Sequence, residues 1–390
     1  MENAAGNGET GLVDAAAALT PLVREHAGEA SLSGTLPLPL VEALEAAGLF
    51  RVALPRELGG LEADAVTIIR VGETLAHADG STAWAVLTGN SAMFLAWLDP
   101  AVAAQLVGER AAAPWASSFA PSAQGVEVPG GFRVSGRYSY VSGSPHAEGF
   151  IGAFVIAGAD GPRLLPGGRP AMRWGVLPVG ETEVTRSWED AAGLRGSGSH
   201  DVVVKDVFVP AEHTMLPPAE PPKVAGTYYR LPFYTVVRIL LAGVPLGIAR
   251  RALDELATLS RHKVREMRLV AEDPDVQIRV ARAEAALRAA RTYLFEATRA
   301  VWAAGEAGAE VPREARLDFT LAAQAVMESA VGAVDLAFEV AGASAALRDD
   351  VIQRCWRDVH VARLHVAFSR ARWTGAGQAL LGVDIEDAAI

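Results

Sequence analysis

Apolar residues recur at spacings of three and four from Leu12 to Ala27 and again from Pro39 to Gly48, the period of an amphipathic helix. The second stretch runs through Leu49-Phe50-Arg51-Val52 to the breaker Gly59-Gly60, so two helices and a turn are predicted. Two further helical patterns follow, Asp64 to Ala78 and Ser81 to Leu98, split by Asp79-Gly80, with Asp64 and Ser81 standing where N-caps belong. Ile68, Ile69, Val71 and Leu75 form the core face of one; Trp84, Val86, Leu87, Met93 and Phe94 form that of the other. From 114 to 215 the helical period disappears, Gly and Pro rise, and short runs such as Phe132-Arg133-Val134 and the stretch from Gly149 to Val155 predict strands. Past Tyr228 the helical period returns in four long segments, Leu231 to Ser260, Asp273 to Gly305, Arg313 to Gly342 and Asp350 to Ala379. Helices of ~30 residues are ~45 Å long, and four of them with short connections predict a four-helix bundle. The expected fold class is therefore α+β, with a helical domain over 1–112, a β-domain over 113–222 and the bundle over 223–390.

Composition narrows the function classes. A chain of 390 residues that is 51% hydrophobic can bury a large core, and disorder is expected only in about the first ten residues. A formal charge of −11 disfavours nucleic acid and anionic membrane surfaces as partners. The single cysteine, Cys355, excludes an intrachain disulfide and a cysteine-based metal site. No apolar run reaches the ~20 residues that span a bilayer, and the start MENAAGNGETG is acidic without a hydrophobic segment, so a cytoplasmic protein is expected.

The most specific stretch is WEDAAGLRGSGSHDVVVKDVFVP, from Trp188 to Pro210. Gly193, Gly196 and Gly198, with Ser197 and Ser199, make a loop whose backbone can come close to a planar ligand, followed by a β-branched run that Pro210 ends. This string resembles the central domain of the acyl-CoA dehydrogenase superfamily, where W-x-x-x-x-G-x-R-G-(S/T)-x-S-x-D closes over flavin and substrate. PRELGG, ending at Gly60, is similar to the P-x-x-x-G-G turn of the same family's N-terminal domain. The resemblance runs from about residue 12 to 383 and implies an N-terminal helical domain, a central β-barrel-like domain and a C-terminal bundle that packs on other subunits in a dimer or tetramer.

It also implies site residues. PWASSFAPSAQG, from Pro114, occupies the place of the family's T-E-P-G-x-G-S-D loop without its acidic residue and two of its glycines, so Trp115, Ser117 and Ser118 become cofactor-binding candidates. SGRYSYVSGSPHAEGF, from Ser135, matches the N-G-x-K-x-W-I-T-N-G turn, putting Tyr140 at the Trp, Ser142 at the Thr that faces flavin N5, and Gly143 after it. A hydroxyl beside N5 is a hydrogen-bond partner for a reduced flavin. Arg265 stands in the region of the R-x-x-F-G phosphate contact, but Phe-Gly is absent, which leaves FMN open beside FAD. Trp84 and Asn90 lie on the helix that lines the family's substrate cavity, and the S-G-x-x-H-A wording with His146 is more like the flavin-dependent monooxygenases than the dehydrogenases.

The branch turns on a missing group. A dehydrogenase of this superfamily needs a carboxylate base as hydride leaves to N5. In this chain the two places the family supplies it from hold Val237, just before Arg238, and Val366, eight residues past Asp358 of the Arg357-Asp358 pair. CWRDVHVARLHVAFS instead puts His365 beside the vacant position, similar to the two-component (group D) monooxygenases in which such a histidine faces the isoalloxazine ring. On a continuous helix His360 would lie roughly 500° round from His365, so the two are not a metal pair and no metal is expected. The implied activity is flavin-dependent monooxygenation of a small aromatic or heteroaromatic substrate through a C4a-hydroperoxyflavin, using O2 and reduced FAD or FMN. The chain has no G-x-G-x-x-G nucleotide fingerprint following a strand, since GNGETG from Gly6 to Gly11 has only five residues before it, so a separate NAD(P)H:flavin reductase is expected to deliver the reduced flavin. His365 and Ser142 are the catalytic candidates; Trp84, Asn90, His146 and His365 are the substrate-side ones. An acyl-CoA dehydrogenase, a sugar amine N-oxygenase and a flavin-free, non-catalytic relative are the alternatives.

Overall fold

The computed structural model describes residues 5–108, 110–217 and 219–383. Five helices precede the sheet: α1 (Ala5–Ser33), α2 (Leu38–Ala46), α3 (Ala65–Ala78), α4 (Gly80–Thr88) and α5 (Pro100–Val107). Helix already begins at Ala5, which corrects the expected disorder from that residue onward; the four residues before it lie outside the described ones. Asp64 caps α3 as expected, accepting from the N–H groups of Val66 and Thr67. The cap of α4 is Asp79 and not Ser81: its carboxylate accepts from Thr82 N (2.8 Å) and the Thr82 hydroxyl (2.9 Å), because the helix starts at Gly80 and Ser81 falls inside its first turn. That helix also stops at Thr88, short of Leu98. Asn90 donates its amide to the carbonyls of Leu49 and Val86 and takes Ala53 N–H on its Oδ1, and the chain continues as 3₁₀ turns over Ser91–Trp97.

The strands are β1 (Trp115–Val128), β2 (Gly131–Val141), β3 (Gly149–Gly158), β4 (Gly161–Pro162), β5 (Met172–Leu177), β6 (Thr182–Thr185), β7 (His200–Pro210) and β8 (Thr214–Met215). They form one mixed sheet in the order β6-β7-β2-β1-β3-β5-β8 with β4 beside β3; β1 and β3 are parallel and the remaining pairs antiparallel. The sheet curls on itself. A Cβ on Gly175 of β5 would lie 3.1 Å from Val209 of β7, although those strands are not neighbours. Phe132, Val134, Tyr138, Phe154 and Val204 fill the space between as a core of their own.

The C-terminal half contains α6 (Thr227–Arg230), α7 (Phe233–Leu241), α8 (Gly243–Ser260), the hairpin of β9 (Val264–Arg265) and β10 (Arg268–Leu269), α9 (Pro274–Glu306), α10 (Arg313–Ala341), α11 (Val351–Ala362) and α12 (Arg370–Leu380). Two of the four expected long helices are therefore broken. The first divides at Gly243, where a Cβ would sit 2.1 Å from the Ile69 carbonyl of α3, so only glycine allows the backbones to touch there. Pro245 then lies in the first turn of α8, where its missing N–H costs nothing. The last segment breaks between Ala362 and Arg370, with consequences for the site. By length and composition α10 with the turn after it is apolar enough to cross a membrane, yet Phe319, Ala323, Val326, Met327, Ala330 and Val334 bury it in the bundle. Packing of α3 on α8 joins the helices of both ends into one core, in which Ile68, Leu75, Ile248 and Leu256 sit together.

Candidate active site

Trp84 is the point at which the three regions of the chain meet. Its indole Nε1–H donates to Ser142 Oγ at 3.1 Å, and its ring takes the His365 imidazole edge-on, centroid to centroid 5.3 Å at 80°. Ser142 follows β2, whose pairing with β7 slips between Tyr138 and Val141, and is half-buried. Its Oγ is 2.8 Å from Ser199 Oγ, which is 2.7 Å from Ser197 Oγ, and Ser197 donates to the Leu194 carbonyl at 2.7 Å. Gly143, at φ +72°, lets the turn after Ser142 donate its N–H to the Ser197 carbonyl, 2.8 Å away.

The Gly-Ser loop is buried from Gly193 to Asp201, and its glycines face protein. A Cβ on Gly193 would be 2.1 Å from the Arg357 carbonyl, and one on Gly196 would be 2.8 Å from Ala30 Cβ. The expectation that these glycines allow close approach to a planar ligand is therefore corrected: they let the loop dock between α1, α4 and α11. Asp358 completes the docking, accepting the Leu194 N–H at 2.6 Å. Burial, with Asp79 nearby, pushes its carboxyl above the usual carboxylate range.

His365 is not on a helix. It follows the end of α11 in extended backbone (φ −65°, ψ 145°) and caps the 3₁₀ turn Val366–Phe368, accepting the Ala367 N–H on Nδ1 at 3.2 Å. This corrects the helical-wheel argument, while still separating His365 from His360, which sits against Trp356 and Asp335. An Nδ1 that accepts a hydrogen bond carries no proton, so the neutral ring has its proton on Nε2. Burial pushes the pKa down to about 4. His365 is thus a neutral Nε2–H donor at neutral pH, which removes the role of base at that nitrogen, and Nε2 has no hydrogen-bond partner among the described residues.

The other expected residues divide. Tyr140 is 73% exposed with φ +62°, an unusual conformation for a bulky residue, and its ring lies 5.8 Å from that of Trp188. Ser117 bonds Ser91 Oγ at 2.7 Å, and Ser118 is half-buried beside a β1 bulge. Three candidates are corrected. Asn90 is 1% exposed with its amide committed to the backbone, as described above. Trp115 is a core residue whose indole covers Gly149, where a Cβ would come within 2.5 Å of the ring. His146 ties the α1–α2 connection instead of facing a substrate: its Nε2 is 2.8 Å from the Leu36 carbonyl and 3.0 Å from Thr35 Oγ1. Arg265 stands apart on the β9–β10 hairpin, paired with Asp273 at 3.1 Å, and none of its contacts reaches Ser142, Trp84 or His365.

Sequence reasoning missed two features because both depend on tertiary placement. Arg238 is fully buried; Nη1 donates to Thr320 Oγ1 at 2.9 Å, while Nε and Nη2 have no partner among the described residues, and burial pushes its pKa down to about 9. Phe94, Phe119, Trp174 and Phe233 pack where the N-terminal helices, the sheet and α7 meet, with Phe119 and Trp174 centroids 4.2 Å apart. Among the described residues, no group of three His, Cys, Asp or Glu is placed to hold a metal ion.

A flavin fits this chemistry. An isoalloxazine has apolar faces and a hydrogen-bonding edge, and the hydroxyl of half-buried Ser142, the open Nε2–H of His365 and the exposed Tyr140 ring held in a rare backbone conformation suit such a group. Among the described residues no carboxylate makes a hydrogen bond to Ser142 or His365, whose partners are Trp84, Ser199 and the Ala367 N–H.

Comparison with known proteins agrees. The acyl-CoA dehydrogenase N-terminal domain model matches residues 14–104, and the C-terminal domain model matches residues 239–370. The chain is 33% identical to the indole-3-acetate monooxygenase of Pseudomonas putida, over 94% of this chain and 92% of that protein. It is 31% identical to the flavin-dependent monooxygenase oxygenase subunit HsaA of Mycobacterium tuberculosis, over 90% of this chain and 89% of that one. The crystal structure of 3-HSA hydroxylase from Rhodococcus sp. RHA1 superposes with a TM-score of 0.88 at 28% identity, covering 97% of this chain and 99% of that one. The chain belongs to the acyl-CoA dehydrogenase family, within its branch of flavin-dependent monooxygenases.

Proposed function

We propose that this chain is the oxygenase component of a two-component system, taking reduced FAD or FMN from a separate NAD(P)H:flavin reductase and hydroxylating a small aromatic or heteroaromatic substrate. The observation that carries this reading is the junction at Trp84, where a serine oxygen and a neutral histidine N–H donor meet without a carboxylate. In the reaction one atom of O2 enters the substrate, the other leaves as water, and the flavin ends oxidised. When bound, the reduced flavin supplies the two electrons that activate O2.

The chain's own groups hold and exclude. Ser142 offers an oxygen to the flavin edge, fixed by Trp84 and Ser199. His365 donates its Nε2–H to oxygen in the site without carrying a charge. The docked loop from Gly193 to Asp201 shuts water out from one side. The aromatic cluster around Phe119 and Phe233 suits an aromatic ring better than a sugar, and buried Arg238 suits a phenolate or carboxylate on it. Several relatives bear names of the same kind, among them indole-3-acetate monooxygenase and a resorcinol hydroxylase oxygenase component.

The test is a set of reactions under 18O2 with chemically reduced FAD or FMN, offering phenols, indole carboxylates, an amino-sugar nucleotide and acyl-CoAs. One 18O on a ring carbon supports the proposal. Label on nitrogen of the amino sugar would replace it with N-oxygenation, and bleaching of bound oxidised flavin by an acyl-CoA would replace it with dehydrogenation.

A further inference from the structure

The hydroxyls between Trp84 and Leu194 have only one possible direction. A carbonyl can only accept, so the single Ser197 proton lies on the Leu194 oxygen, 2.7 Å away. The contact of 2.7 Å between Ser197 and Ser199 must then be donated by Ser199, and the contact of 2.8 Å between Ser199 and Ser142 must be donated by Ser142. The proton of Ser142 is therefore spent, one of its lone pairs takes the Trp84 Nε1–H, and what remains is one lone pair on a half-buried oxygen. Trp84 has no second proton to offer. The exposed end of the chain can accept a hydrogen bond but cannot donate one.

Reduced isoalloxazine carries a proton on N5, whereas oxidised isoalloxazine presents a lone pair there. We propose that Ser197 and Ser199 are positioning residues that lock Ser142 as an acceptor, so that the site selects reduced over oxidised flavin. This rests on the reading that Ser142 meets the flavin at N5. Reversing the chain to greet oxidised flavin would strip Ser197 of its bond to the Leu194 carbonyl, which already holds the Trp188 Nε1–H at 2.9 Å and the Ser197 N–H at 3.1 Å. Oxidised flavin therefore binds at the loss of about one net hydrogen bond, roughly a tenfold effect on affinity. Replacing Ser199 by Ala frees the Ser142 proton to point outward; replacing Ser197 by Ala removes the carbonyl-anchored end and lets the rest turn round.

The experiment measures dissociation constants of the full chain for oxidised and anaerobically reduced FAD and FMN, with the midpoint potential of the bound flavin as a second readout. In Ser199→Ala and in Ser197→Ala the preference for reduced flavin should narrow about tenfold, chiefly through tighter binding of oxidised flavin, which lowers the bound-flavin potential by about 30 mV for a two-electron couple. If Ser142→Ala weakens reduced-flavin binding while both other variants keep the wild-type ratio and potential, the polarity lock is wrong and the flavin contact stands. If Ser142→Ala alters neither constant, Ser142 does not meet the flavin and both fall.

Discussion

At the scale of the residue, the chemistry is set by where two protons sit. The proton of His365 is on Nε2 because the Ala367 N–H occupies Nδ1. A donor role can be carried by an amide, so His365→Gln should retain a measurable fraction of hydroxylation, whereas His365→Ala should lose about 10²-fold or more. Comparable loss in both, measured as product per reduced flavin, would count against the donor role. Its pKa of about 4 lies below the ordinary 6.5, so from pH 6.5 down to 4 the unfolded chain binds the proton and the native one does not. The contribution to stability is present above 6.5 and is lost as pH falls through 4. Urea midpoints of wild type and His365→Ala should therefore converge or cross toward acid pH; parallel curves would show that the histidine is not depressed. The positions of Ser142 and His365 were legible in the sequence through their register in the family motifs. Their hydrogen-bond polarity was not, because it depends on Leu194 and Ala367, whose backbone atoms no pattern of side chains announces.

Among the elements, the loop from Gly193 to Asp201 is held by α11 through one carboxylate, which links the C-terminal bundle to the serine chain. Asp358→Ala leaves the buried Leu194 N–H without an acceptor and should cost about 1–3 kcal/mol. Asp358→Asn keeps an acceptor and removes one of two neighbouring buried carboxylates, so it should sit within about 1 kcal/mol of wild type at neutral pH. Equal destabilisation by both, in denaturant titrations, would show that charge and not the Leu194 bond matters. The helices themselves were legible wherever a long apolar stripe was unbroken, as in α9 and α10. The breaks at Gly243 and after Ala362 were not, since the first exists to let α8 touch α3 and the second to let a turn form at His365.

For the whole molecule, the helical ends share one core around α3 and α8, and the sheet supplies a second, so the site is assembled at a junction of regions far apart in sequence. Trp84, Ser142, Ser199 and His365 come from α4, from the turn after β2, from the loop before β7 and from the break after α11. Anaerobic binding of reduced flavin should accordingly slow amide exchange in residues 83–88, 140–144 and 362–368 together; protection confined to one of these segments would place the ligand elsewhere. The most direct measurement is a stopped-flow mix of the protein, loaded anaerobically with reduced flavin, against oxygenated buffer, for wild type and Ser142→Ala. Wild type is expected to pass through a transient absorbance distinct from both reduced and oxidised flavin, shorter-lived in the variant. Monophasic return to oxidised flavin at the rate of the free cofactor in both proteins would contradict a monooxygenase site at Trp84, Ser142 and His365.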